Sequence, residues 1–207
     1  FGQQALKVYF KQAQTVDDVV KGRINEQMSK ITEINQDEIF EQFKHLPFEE
    51  VENCVCIANT IHNSIINCYK YHKQYLDLLS FLTKRHQRFN GALRDEFLNY
   101  DLLRLVELDK LDTEDKFIAK NRIIINYEMM ILLHKHQLLF IFDDIRQIIS
   151  RLENLSDVSS IEIFIRFLKI LKDQEVSFDK TTIDNLNKKV SKGDYPKRIA
   201  FILMDLA

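Results

Sequence analysis

Breakers of helical structure are scarce in this sequence, which has four glycines and two prolines in 207 residues. A β-sandwich or an α/β fold of this length needs many more turn residues than that. Leu, Ile, Lys, Glu and Gln are abundant, and all of them except Ile rank among the good helix formers. The composition therefore predicts an all-α protein that is more than two-thirds helical and has no sheet.

Cysteine is also scarce, and the three that occur, Cys54, Cys56 and Cys68, cannot all pair with one another. An odd number of cysteines in a chain of this size is typical of a reducing compartment, so we expect a cytoplasmic protein. Cys54 and Cys56 lie two residues apart on a predicted helix. Their side chains then point to nearly opposite sides, which disfavours a zinc knuckle.

Long apolar runs are missing as well. No segment approaches the roughly 20 apolar residues of a membrane-spanning helix, and residues 1–20 contain no apolar core of a signal peptide. We therefore expect no membrane contact.

Phe1 stands where a start methionine would, so we expect a domain of a larger protein. The net charge of −2 is too balanced for a general nucleic-acid binder, which leaves only local basic clusters to contact RNA.

Helical periodicity runs along almost the whole chain. Asn35 with Glu38 resembles a capping box, Pro47 suits the first turn of a helix, and Gly91 and Gly193 suit helix ends. Helices are predicted at about 4–14, 16–31, 36–45, 48–68, 70–88, 91–108, 113–134, 137–154, 159–173, 179–191 and 196–207.

The predicted helices suggest a repetitive architecture. No linker rich in Ser, Gly or Pro divides the chain, so residues 1–207 are predicted to form one monomeric domain. Short connections favour antiparallel neighbours, and the helix pairs recur about every 40 residues, near the HEAT range. The sequence thus predicts a HEAT-like α-solenoid of about five antiparallel helical hairpins. Its core is predicted to contain Ile124, Tyr127, Met130, Phe164, Phe167 and Leu168.

The segment "HKHQLLFIFDD" (134–144) holds residue types that bind metals. His134 and His136 lie two residues apart, or about 200° around a helix, whereas helical metal pairs are spaced by three or four. Cys68 and His72 have the spacing of a nucleophile and base, but no third group is evident to orient them. We predict that the protein is not an enzyme and holds no cofactor or metal. A helical enzyme centred on 134–144 is the alternative.

Two basic clusters are candidates for contact with nucleic acid, because Lys and Arg neutralise phosphates. One cluster, which we call the turn cluster, lies within "TKRHQRF" (83–89) beside an aromatic residue. The other, which we call the terminal cluster, lies on both sides of the break before the last predicted helix. Cations at helix ends are also commonly just solvated. The turn cluster contains Lys84, Arg85 and Arg88, and the terminal cluster contains Lys188, Lys189, Lys197 and Arg198.

Two segments resemble a known family. The final "RIAFILMDL" (198–206) resembles the last helix of the middle domain of translation initiation factor four-G, which ends Arg-Ile-x-Phe-Met-Leu-x-Asp-aliphatic. The stretch "MSKITEINQDEIFEQFKHLPFEEVENCVCIANTIHNSI" (28–65) is similar to the start of such domains in the up-frameshift factor two family of nonsense-mediated decay scaffolds. The resemblance implies a HEAT-like solenoid and a scaffold rather than an enzyme.

The resemblance also implies partners. In the decay scaffolds, one such domain docks up-frameshift factor three through charged residues of one helix. The matching stretch is "GALRDEFLNYDLL" (91–103), and its candidate partner-binding residues are Arg94, Asp95 and Asp101. A translation initiation scaffold that binds a DEAD-box helicase and RNA is the alternative within the same family.

Overall fold

The computed structural model describes residues 16–206, apart from the side chains of residues 16, 17, 102, 103, 106 and 109. The helix predicted at 4–14 lies outside the described residues. Within them, two short 3-10 helices at Tyr69–Tyr71 and Leu108–Lys110 accompany ten α-helices. These are α1 Val16–Lys30, α2 Gln36–Phe43, α3 Val51–Asn67, α4 His72–Thr83, α5 Gln87–Glu107, α6 Thr113–Lys135, α7 Phe142–Glu153, α8 Val158–Asp173, α9 Lys180–Lys192 and α10 Lys197–Met204.

The predicted all-α class is confirmed, because residues 16–206 are more than two-thirds helical and contain no strand. Over the same range, no helix is both long and apolar enough to cross a bilayer. The ten helices pack together around one cluster of buried apolar side chains that draws on every one of them.

Helices two positions apart in the chain lie side by side, as α1 does with α3, α3 with α5, α6 with α8, and α8 with α10. The pair α6 and α8 runs in one direction. Lys120 in the first half of α6 donates to Glu162 near the start of α8. At the other ends, Lys135 donates to Gln174. Consecutive helices α5 and α6, α7 and α8, and α9 and α10 also contact each other across short connections.

The predicted core is confirmed except at one position. Tyr127, Phe164, Phe167 and the neighbouring Met130 and Leu168 are buried, and the rings of Tyr127 and Phe167 lie 4.6 Å apart between α6 and α8. Ile124 is only half-buried, because it lines a surface cleft between these two helices.

One buried polar link joins three helices at the centre. His62 Nε2 lies 2.7 Å from Asn126 Oδ1, and Asn126 Nδ2 donates to the Phe97 carbonyl at 2.9 Å. Burial lowers the pKa of His62 to about 4, so the imidazole is neutral at neutral pH. The link ties α3 and α5 to α6 by satisfying polar groups that would otherwise be buried without partners.

The predicted break at Gly91 was wrong. The chain breaks instead between α4 and α5, where residues 84–86 form a turn, and Gly91 lies inside α5. A glycine is a poor helix former but is tolerated in a helix that packing stabilises. Gly193 does end a helix, as predicted, and caps α9.

The predicted helix 137–154 begins too early, because α7 starts at Phe142. Gln137 adopts a left-handed conformation with φ of 58° and ends α6. The Leu138 amide then donates to the Leu133 carbonyl, and the Gln137 amide donates to that of His134. This is a Schellman ending that lacks the usual glycine. It agrees with the predicted end of this helix near residue 134, but the residues after it form a turn and do not start the next helix.

The start of α2 at residue 36 was predicted correctly but its capping box was not, and the start of α3 was predicted too early. Asn35 makes no side-chain cap for α2; its Oδ1 accepts from the Thr32 amide, within the turn before the helix. Pro47 lies in a connection, and α3 starts only at Val51. Before α3, a local turn in which the Phe48 amide donates to the Leu46 carbonyl replaces the extra helical residues that propensity alone would add.

In the last predicted helix, Ile199, Ile202 and Leu203 recur at helical spacing, which predicts an apolar stripe packed on the two preceding helices. The structure confirms this packing. α10 contacts α8 and α9, with Ile199 and Leu203 buried and Ile202 half-buried against the core. Phe201 and Met204 lie on the opposite side and remain exposed.

Candidate functional site

The turn cluster lies where α4 ends and α5 begins, and Lys84, Arg85 and Arg88 are all exposed. The position follows from the break at residues 84–86, which puts the three cations on a corner of the molecule. No ion pair involves any of them among the described residues, so their charges are not neutralised there by a carboxylate.

Two of these cations are nevertheless held in place. The Arg85 guanidinium lies over the Phe81 ring, 3.8 Å from its centroid, and donates to the Phe81 carbonyl at 3.1 Å. Arg88 donates to the Glu49 carbonyl at 2.5 Å. Stacking on a ring and bonding to neutral carbonyls orients a guanidinium without cancelling its charge.

An exposed aromatic side chain stands beside the turn cluster. The turn after α6 carries Phe140, which is 80% exposed, and it shares with Lys84, Asn90 and His136 an open pocket of about 380 Å³. We call Lys84, Arg85, Arg88, His136 and Phe140 the basic–aromatic surface. Cations beside a free ring are the combination that binds single-stranded nucleic acid through phosphates and stacked bases.

Phe140 was missed by the sequence analysis, which included it in a helix and considered its segment for metal chemistry. The side chains of that segment have other partners. His134 Nδ1 lies 3.3 Å from the Leu139 carbonyl, and Asp144 binds Arg94. Within residues 16–206, no group of three or more His, Cys, Asp or Glu side chains is arranged to hold a metal ion.

The three candidate partner-binding residues on α5 have different environments. Asp95 is exposed. Arg94 is half-buried, and its Nη2 donates to both carboxylate oxygens of Asp144 on α7, at 2.7 and 2.8 Å. These two are therefore not equally available to a partner.

Asp101 lies in the interior, 1% exposed. It accepts hydrogen bonds from the Tyr127 hydroxyl and, at 2.6 Å, from Arg151. Burial raises the pKa of Asp101, although both partners act against that rise. The carboxylate joins α5 to α6 and α7, so a partner that docks on α5 does not reach it in this structure.

The terminal cluster is divided in the same way. Lys188 and Lys197 are exposed. Lys189 Nζ donates at 2.6 Å to the carbonyls of Glu153 and Leu155, at the end of α7. A cation at this position complements the negative end of the helix dipole.

Arg198 belongs to a charged group around Glu162. This buried carboxylate receives Lys120 at 2.8 Å, Arg166 at 3.1 Å and Arg198 at 3.6 Å. Burial would raise the pKa of Glu162, but the hydrogen bond and charge of Lys120 outweigh it, with help from both arginines. The pKa therefore stays below its ordinary value, and the group is ionised at neutral pH.

In comparisons with known proteins, no protein-family model matches the chain, and no curated protein matches it.

Proposed function

We propose that this chain is a non-catalytic scaffold domain of the initiation-factor-four-G middle-domain type, which docks protein partners in cytoplasmic nonsense-mediated mRNA decay. The observation that carries the proposal is the packing of helices two positions apart, as between the co-directional α6 and α8. That packing supports the HEAT-like solenoid which the sequence resemblance implies. Such an array suits docking because successive repeats form an extended surface.

The partner that the resemblance implies is a protein of the up-frameshift factor three type. The exposed Asp95 on α5 is the candidate contact that remains accessible. An acidic side chain at this position would meet a basic side chain of the partner, and a charge pair at the rim of an interface mainly changes the association rate.

A second candidate function is that of a translation initiation scaffold, which would bind a DEAD-box helicase and RNA. The basic–aromatic surface favours this alternative, because its three cations face solvent and Phe140 offers a free ring.

A side-by-side capture experiment separates the two. The immobilised chain is offered a purified up-frameshift factor three protein and a purified DEAD-box initiation helicase. The lead proposal expects retention of the first alone, whereas the alternative expects retention of the second. If neither protein is retained, both proposed functions are contradicted.

Matched variants locate the contact. Asp95→Lys should weaken capture of the up-frameshift factor three protein by about tenfold, as expected for a charge reversal of a favourable pair. Asp184→Lys, which changes another exposed aspartate, on α9, should leave capture unchanged. Equal effects of the two variants would argue against docking on α5.

A further inference from the structure

The two arginines at Glu162 keep donors that the carboxylate does not use. Arg166 donates through one Nη2 atom, and Arg198 Nη2 approaches only to 3.6 Å, beyond hydrogen-bond distance. Both side chains are exposed. The three cations also outnumber the one carboxylate. Glu162 therefore holds two guanidinium groups close together while leaving a surplus of positive charge that faces solvent.

Apolar side chains border these guanidinium groups. Phe117 is 60% exposed and lines a shallow cleft with Lys120, Ile124 and Arg166. Phe117, Lys120 and Ile124 follow the spacing that puts residues on one face of a helix. A large ring left open beside two charged groups is an anchor point typical of protein interfaces.

The last helix extends the same surface. Phe201 is 65% exposed and follows Arg198 by three residues, so the two side chains lie on the same side of α10. We call the surface formed by Phe117, Lys120, Arg166, Arg198 and Phe201 the α6–α8–α10 face.

We propose that the α6–α8–α10 face docks an acidic segment of a partner protein, in which an Asp or Glu stands next to an apolar side chain. The proposal rests on the scaffold function proposed above and adds the chemistry of one partner. The carboxylate of the segment receives N–H groups from Arg166 and Arg198, whose planar forks suit bidentate pairing. Its apolar neighbour covers Phe117.

The charges around the face favour an acidic peptide over RNA. Glu114 lies one turn before Phe117 on the same face of α6, and Asp205 lies seven residues after Arg198 on the same side of α10. A nucleic-acid strand, which carries a charge at every nucleotide, would meet these carboxylates at both ends of the basic group. A peptide with one or two acidic residues would not.

Selection from a random peptide display library on the immobilised protein tests the proposal. The expected result is enrichment of peptides with Asp or Glu beside Phe, Leu or another apolar residue. Synthetic copies of the enriched peptides, measured by fluorescence anisotropy, should lose at least about tenfold in affinity for Arg166→Gln/Arg198→Gln. Phe117→Ser, which leaves every charge in place, should weaken the same peptides.

The matched control is Lys180→Gln/Lys192→Gln, which removes two exposed positive charges on α9 and should leave peptide affinity unchanged. Circular dichroism melting confirms that each variant is folded. Enrichment of no acidic–apolar peptides, or peptides indifferent to the arginine and Phe117 variants, would overturn the proposal. The proposal would also be overturned if the protein bound a labelled oligouridine and only Arg166→Gln/Arg198→Gln abolished that binding, since the face would then bind RNA.

This outcome is independent of the capture experiment above. If acidic peptides bind the face but neither family partner is retained, the docking surface stands and the assignment to mRNA scaffolding fails. If a family partner is retained while the peptide selection fails, the scaffold function stands and the acidic-segment proposal fails.

Discussion

The turn cluster and the terminal cluster carry similar charges but differ in how those charges are used. In the turn cluster, Arg85 and Arg88 contact an aromatic ring and two backbone carbonyls, and all three cations remain exposed without a carboxylate partner among the described residues. In the terminal cluster, Lys189 binds two carbonyls at the end of α7, and Arg198 pairs with Glu162. One cluster is free to recruit a polyanion, whereas half of the other supports the fold.

The difference follows from residues far away in the chain. Glu162 precedes Arg198 by 36 positions, and Glu153 precedes Lys189 by the same number. A run of lysines and arginines looks the same in sequence whether or not folding supplies it with acceptors. The availability of a cation is therefore a tertiary property, and substitutions that separate stability from binding can test it.

The largest expected effect on stability comes from Glu162→Gln. This change leaves Lys120, which is mostly buried, without a counter-charge. Removing one partner of a buried ion pair should cost about 3 kcal/mol in the free energy of unfolding, measured with urea.

Neutralising the turn cluster is the matched contrast. The triple change Lys84→Gln/Arg85→Gln/Arg88→Gln should alter the free energy of unfolding by about 1 kcal/mol or less, since its residues are exposed and lose only a ring contact and two carbonyl bonds at the surface. Comparable losses in the two proteins would mean that both clusters serve the fold.

The Glu162 contribution should depend on pH. Because folding lowers the pKa of Glu162 below its ordinary 4.5, the stabilisation is complete above that value and is lost as the pH falls through the folded pKa. The difference in unfolding free energy between the wild type and Glu162→Gln should therefore be constant near neutral pH and shrink in acid. The lowered pKa of His62 also makes stability depend on pH in acid, but this contribution is the same in both proteins and cancels in the difference. A difference that persists unchanged in acid would contradict this assignment.

Lys189→Met should have a smaller effect. It removes two hydrogen bonds to carbonyls after α7 while keeping most of the apolar stem, so we expect a loss of about 1–2 kcal/mol in unfolding free energy. Lys188→Met, at the exposed neighbouring position, should be nearly neutral. If thermal melting cannot distinguish the two variants, Lys189 is not a structural lysine.

Two glycines provide the smallest contrast. A Cβ at Gly91, inside α5, would meet nothing within 4 Å, so Gly91→Ala should stabilise the protein by about 0.5–1 kcal/mol. A Cβ at Gly193, which ends α9, would come within 2.3 Å of the Tyr195 ring. Gly193→Ala should therefore destabilise the protein. Chemical denaturation of the two variants should give shifts of opposite sign, and shifts of the same sign would contradict the account.

The sequence predicted the fold class because scarce glycine and proline exclude other classes whatever the tertiary contacts are. It also predicted the buried side of α10, where helical periodicity alone identifies Ile199 and Leu203. It predicted the end of α6 to within one residue but missed the turn formed by residues 136–141, because Gln137 adopts the left-handed conformation that usually marks a glycine. Local pattern cannot show a turn that its own residues do not signal.

The candidate sites were less predictable. Lys84, Arg85 and Arg88 could be found from composition, but Phe140 lies more than fifty residues later and shares a pocket with Lys84 only through packing. Asp101 looked like a surface acid, yet Tyr127 and Arg151 hold it in the interior. Packing between helices that are distant in the chain places Phe140 beside Lys84 and buries Asp101. Local sequence patterns do not predict which distant helices contact each other.

The most direct test of the central claim is the salt dependence of binding to a fluorescent oligouridine. If the cations of the basic–aromatic surface are free to bind phosphates, the slope of log affinity against log salt is negative, and Lys84→Gln/Arg85→Gln/Arg88→Gln should make it less steep. The expected reduction in magnitude is about 2, roughly 0.7 for each lost phosphate contact. The matched triple Lys188→Gln/Lys192→Gln/Lys197→Gln should leave the slope unchanged. Equal slopes for both triples, or a turn-cluster triple that binds like the wild type, would contradict the account.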